Sequence, residues 1–134
     1  MRTLATCILV IAIAGCGAAP KDSAQDFQGD ERAVAAVVEQ LETEARHDNP
    51  DKICATVLSD KLITTLQSQG TNCRTAVKEA LRDTDQFDLT VDDVNISGQS
   101  ATVKVTSGRG GNKKDDTLTL VREGGGWTIS ALGS

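Results

Sequence analysis

Tyrosine is absent from this 134-residue chain, histidine and tryptophan occur once each, and phenylalanine twice. Few large aromatic side chains are therefore available to fill a core, and His47 is the only imidazole with which to build a base or hold a metal. No Ser-His-Asp or Cys-His grouping, no metal cluster and no nucleotide motif is present. Basic residues number 14 against 19 acidic ones, interspersed along the chain, for a net charge of −5. That balance excludes nucleic acid as a partner, because phosphates demand a basic face. Also missing is an apolar run long enough to span a bilayer, which takes about 20 residues. Leu4 to Ala14 offers eleven, with Thr6 among them.

That short run still carries information. It follows Met1-Arg2 and closes on Ala14-Gly15, giving the basic end, apolar centre and small residues of an export signal. Ile13-Ala14-Gly15-Cys16 resembles the lipobox of bacterial lipoproteins. The resemblance implies that residues 1–15 are a signal peptide, that Cys16 is acylated and begins the mature chain, and that the lipid holds the protein on the extracytoplasmic side of the cell membrane. Two or three acyl chains make such an anchor stable where one is reversible. Loss of Arg2 with the signal leaves 13 basic against 19 acidic residues, a surface that keeps off anionic headgroups.

With Cys7 removed and Cys16 taken by lipid, Cys54 and Cys73 remain as an even pair in an oxidising compartment, and a disulfide is expected. Closing a loop of about 20 residues contributes on the order of 3 kcal/mol. The rival reading, two metal-binding thiolates, lacks a CxxC spacing and nearby histidines.

Residues 16–29, small and polar with Pro20, are expected to form a flexible tether, and residues 30–134 a single domain. Asp30 is a plausible N-cap for a helix over 30–47, with Val34, Val37, Val38, Leu41 and Ala45 on one stripe. Asn49 and Pro50 open a second helix with Ile53, Cys54, Val57 and Leu58 turned inward. Ser59 caps a third with Leu62, Ile63 and Leu66, which Gly70 ends, and Asn72 caps a fourth with Cys73, Ala76, Val77, Ala80 and Leu81. From Gln86 the period changes from 3.6 to 2. Phe87, Leu89 and Val91 alternate, then Val94 and Ile96 resume out of phase, so a bulge is expected at Asp92-Asp93. Three further strands, joined by short or glycine-rich turns, complete an antiparallel meander. Helices first and sheet after give an α+β fold with the helices on one face of four strands.

That order, with "ICATVLSDKL", "NCRTAVKEAL", "FDLTVDDVNISGQSATVKV" and "TLTLVREGGGWTISAL", resembles the cone-shaped nuclear transport factor 2-like fold, in particular small lipoproteins of high-GC, actinobacterial type. Enzymes of this fold, ketosteroid isomerases and scytalone dehydratases among them, work with Asp, His and Tyr groups inside the cone. Here the candidates are meagre. His47 stands at a helix C-terminus, where a cation suits the dipole. Asp92-Asp93 is either a raised-pKa acid pair or, since adjacent strand residues face opposite ways, a solvated bulge. "SGRGGNKKDD" offers glycines and the cations Arg109, Lys113 and Lys114 but lacks the helix a phosphate loop opens, and reads as a hairpin tip compensated by Asp115 and Asp116.

No catalytic residue, metal or cofactor is assigned. The leading reading is a membrane-anchored, non-enzymatic exported domain that binds a small apolar molecule or an envelope protein. The alternatives are an isomerase or dehydratase and a purely structural interaction module. The few aromatics, Phe87 and Trp127, mark a candidate apolar pocket beside Trp127, unless Trp127 is the plug of a packed core.

Overall fold

A computed structural model describes residues 22–82, 87–108 and 110–133. Cys16 and the expected signal, residues 1–15, lie outside the described residues, as does Arg109.

The chain enters through a 3-10 turn, Ser23–Asp26, whose Ser23 and Ala24 are buried. The Ser23 hydroxyl accepts from the Val91 amide at 3.2 Å, and the Ala24 amide donates to Glu39 Oε1 at 2.6 Å. Packed structure therefore starts before Asp30, and the expected tether is shortened from its C-terminal end. Its residues 23–24 bond across to both the first helix and the first strand, which a solvated linker cannot do.

Four helices follow, α1 (Gly29–Arg46), α2 (Pro50–Thr56), α3 (Asp60–Ser68) and α4 (Cys73–Arg82), then strands β1 (Leu89–Ser97), β2 (Ser100–Ser107), β3 (Lys114–Glu123) and β4 (Gly126–Leu132). The starts and stops follow from local chemistry. Ser59 Oγ accepts from the Leu62 amide at 3.1 Å, and Asn72 Oδ1 from the Thr75 amide at 2.9 Å. Gly70 ends α3 at a φ of +82°. The exception is α1, where Gln28 takes the capping position and Asp30 falls in the first turn. The Asp30 carboxylate is turned instead toward Arg122, 2.6 Å from its guanidinium.

The strands form one antiparallel sheet in the order β1-β2-β3-β4. Register slips between Val91 and Asp93, so the expected bulge is present and both aspartates are exposed. A second irregularity lies opposite Thr119 and Leu120, where Ala131 and Ile129 pair but Ser130 does not. The extra residue swings Leu132 onto the same face as Ile129. At the β3–β4 turn Gly124 and Gly125 both have positive φ, as a two-residue hairpin requires.

One face of the sheet is covered. Val34 and Val38 of α1, Ile53 and Val57 of the second helical segment, and Val103, Val105, Leu120 and Ile129 of the sheet are all fully buried. The segment between α2 and α3 locks onto the β4 edge: Ser59 donates its amide to the Ile129 carbonyl at 2.9 Å, and Ile129 returns one to Val57 at 2.8 Å. No helix among the described residues is long and apolar enough to cross a membrane.

Candidate functional site

The apolar stripes of α3 and α4 do not finish in a packed core. No α3 residue is buried, and in α4 only Cys73 is. Their inward side chains instead wall a cavity of about 630 Å³ between these helices and the sheet. Leu62 and Leu66 come from α3, Ala76, Val77, Ala80 and Leu81 from α4. Leu41, Ile53 and Leu58 close the depth, and Leu89, Val105, Leu118 and Leu132 form the sheet wall. Leu132, placed there by the β4 irregularity, is 52% exposed although it is a large aliphatic side chain.

Polar lining gathers at one end, where β1 and β3 begin and β2 and β4 finish: Asp88, Ser107, Asn112, Lys114 and Asp116. The loop there is held tightly, since a Cβ on Gly108 would meet the Asn112 carbonyl oxygen at 2.5 Å. Asp88 pairs with Arg46. That guanidinium also binds the buried Glu42 at 2.6 Å and the Phe87 carbonyl at 3.2 Å, so the end of α1 is pinned to the mouth. Asp116 Oδ1 accepts from the Thr117 amide at 2.9 Å.

Cys54 and Cys73 form a disulfide, with Cα atoms 6.0 Å apart, that joins α2 to the first residue of α4. It thereby fixes the helix that makes much of the outer wall. Among the described residues no group of three or more potential metal ligands is found.

Of the two aromatic residues expected at a pocket, Phe87 lines the mouth and Trp127 does not line the cavity. Trp127 is only 6% exposed and faces the helices, but at the opposite end of β4, about 16 Å from Leu132 at roughly 3.3 Å per residue. There the Arg122 guanidinium stacks on its ring at 4.7 Å while also binding Asp30. The cavity that Phe87 borders lies along the sheet from Trp127, whose ring packs at the β3–β4 turn end of the strand. His47 caps α1 and is exposed. Asp92 accepts from Thr106 Oγ1 at 2.7 Å on the outer face, away from the cavity.

Two carboxylates elsewhere are perturbed. Burial raises the Glu39 carboxyl above its ordinary value, although the Ala24 amide works against this. The hydrogen bond from Lys52 lowers Glu44. Neither lines the cavity. Sequence patterning had no signal for Glu42 or Glu44, acidic residues that are buried on α1 because Arg46 and Lys52 reach them.

Residues 31–131 match a family model described as "Putative lumazine-binding". No curated protein matches the chain. Among solved structures, a protein from Campylobacter jejuni described as "Putative NTF2-like transpeptidase" is 12% identical with a TM-score of 0.49, over 72% of this chain and 95% of that one. With most of its length inside the family model, the chain belongs to this lumazine-binding-like family.

Proposed function

We propose that this lumazine-binding-like domain is a non-enzymatic, lipid-anchored carrier or sensor that takes a small apolar molecule into its cone on the extracytoplasmic side of the membrane. The observation that carries the ligand reading is the 630 Å³ cavity, within the range of about 300–1,000 Å³ used for small-molecule sites, and walled by aliphatic side chains except at its mouth. The anchoring rests on the sequence alone, on Ile13-Ala14-Gly15-Cys16 at the end of an apolar run.

Lumazine, which the family's description names, is a polar bicyclic ring with several donors and acceptors. In this cavity it would meet polar partners only at the mouth, and each unmatched group costs about 1–3 kcal/mol on burial. Aliphatic chains have no such groups to satisfy. An isomerase or dehydratase role finds little support, because the two carboxylates at the mouth are engaged by Arg46 and by the Thr117 amide and no ionisable group lines the depth.

The ligand reading is tested with the mature chain, residues 16–134, carrying Cys16→Ser so that no detergent competes. Saturable one-to-one binding of N-phenyl-1-naphthylamine, lost in Ala76→Phe with the fold retained by circular dichroism, supports it. Binding that Ala76→Phe leaves intact places the ligand elsewhere and refutes it. Anchoring is tested separately: Cys16→Ser in the full chain is expected to abolish fatty-acid labelling and leave unprocessed precursor.

A further inference from the structure

A second recess adjoins the cavity. About 410 Å³ in volume, it is lined by Ala45, Asp48, Lys78, Leu81 and Arg82, and Leu81 also lines the apolar cavity. Lys78 and Arg82 stand one turn apart on α4, both exposed, and neither is in an ion pair among the described residues. Asp48 is the one acidic residue lining the recess. Asp83 and Asp85 follow in the chain, outside the described residues. The cavity's own mouth is balanced differently, because Lys114 has Asp116 two residues along the same strand face and Arg46 is already taken by Glu42 and Asp88.

The geometry points to an anionic single-chain amphiphile, a long-chain carboxylate, as the ligand class: the chain fills the aliphatic cavity and the carboxylate passes Leu81 to lie between Lys78 and Arg82. Size, charge and shape agree. At about 30 Å³ for a methylene-sized group, the volume one water takes in the liquid, twelve carbons occupy a little over half of the cavity, whereas the two longer chains of a phospholipid exceed it. A carboxylate buried among the leucines would be costly, so its place is an exposed recess with donors, and the arginine fork offers it two parallel hydrogen bonds. In a chain with five more acidic than basic residues, a recess lined by two cations and one acid is the local reverse of the overall charge.

The inference rests on the apolar-ligand reading, and the test separates the two. The same mature Cys16→Ser chain is titrated calorimetrically with dodecanoate, 1-dodecanol and acetate. Dodecanoate is expected to bind about tenfold more tightly than dodecanol, as one charge-assisted contact supplies, and acetate not at all. Lys78→Gln/Arg82→Gln should bring dodecanoate to the dodecanol level without moving dodecanol, and Lys104→Gln, an exposed lysine that lines neither space, should change neither, while Lys114→Gln probes the mouth as the rival place for the carboxylate. Equal affinity for the two long-chain ligands, or a loss that follows Lys114→Gln instead, overturns the carboxylate assignment while the apolar cavity stands. Failure of both long-chain ligands to bind overturns the cavity reading beneath it. Both substituted side chains are exposed, and unchanged thermal melting confirms that the variant remains folded.

Discussion

Removing the disulfide should do two separable things. Cys54 and Cys73 are 19 residues apart, and the chain-entropy relation gives about 3 kcal/mol for a loop of that size. That is a large share of the 5–15 kcal/mol typical of a domain. The loss should not be uniform. α4 packs chiefly on α2 and α3, with the cavity between it and the sheet, so beyond the disulfide few buried contacts secure it. Cys54→Ala/Cys73→Ala, which avoids burying hydroxyls, is expected to lower urea-derived stability by about 3 kcal/mol and to speed hydrogen exchange in α4 well beyond the change in α1. Probe binding should weaken in proportion to the fraction of molecules with α4 detached. A stability change under about 1 kcal/mol, or α4 exchange that rises only in step with α1, would refute the view that the bridge holds the cavity wall.

Other substitutions separate the scaffold from the site. Ser59→Ala removes the α3 cap from a fully buried position and should cost about 1 kcal/mol in chemical denaturation while leaving the Ser59–Ile129 backbone bond in place. Trp127→Ala should cost about 3–5 kcal/mol, yet a folded population should bind the apolar probe normally, and Trp127 emission should stay unchanged on saturation with 1-dodecanol, which absorbs none of it, because the ring packs away from the cavity. Two carboxylates should titrate stability with opposite sign. Glu39, raised by burial, is a penalty above its folded pKa that disappears as pH falls below the ordinary carboxylate value, so Glu39→Gln should stabilise near neutrality relative to wild type and lose that advantage in acid. Glu44, lowered by Lys52, contributes above the ordinary value and loses its contribution as pH falls through its folded pKa, so Glu44→Gln should destabilise near neutrality and converge on wild type in acid. Denaturation curves across pH 3–8 check both.

The division between what the sequence reveals and what it hides falls along a physical line. Short-range chemistry is local: Asn49-Pro50, Ser59, Gly70 and Asn72 each mark a helix boundary through a bond or a φ that a few residues decide, and α2, α3 and α4 begin or end where these residues stand. The phase break at Asp92-Asp93 is equally legible, because period 2 tolerates no other remedy for Val91 followed by Val94. The helix stripes of α3 and α4 are different in kind. Leu62, Leu66, Val77 and Leu81 at helical spacing announce a face that avoids water, but the same pattern serves a face packed on side chains and a face bordering a void. What opens the void is the distance between α4 and the sheet, a sum of connections far apart in sequence: the disulfide, the β4-edge bonds at Ser59, and the α1 terminus pinned by Arg46 to Asp88.

Trp127 shows the same limit from the other side. Its inward direction is readable from strand alternation, but where along the sheet the helices leave space is not, and register decides it. Trp127 pairs with Arg122 next to the β3–β4 turn, beneath the start of α1, where Asp30 draws the guanidinium over the ring. Leu132, with no aromatic character to single it out, reaches the cavity only because Ser130 drops out of the ladder. One unpaired residue thus sets the binding end. An insertion of one alanine directly after Ser130, with the irregularity still absorbing a single residue, would pair Ala131 with Leu118 and turn Leu132 to the outer face opposite Thr117, leaving only a methyl group at that part of the cavity wall. The expected result is weaker probe binding with Trp127 packing intact, read by calorimetry beside tryptophan emission. Unchanged binding would mean that β4 re-registers and that the irregularity does not position the wall.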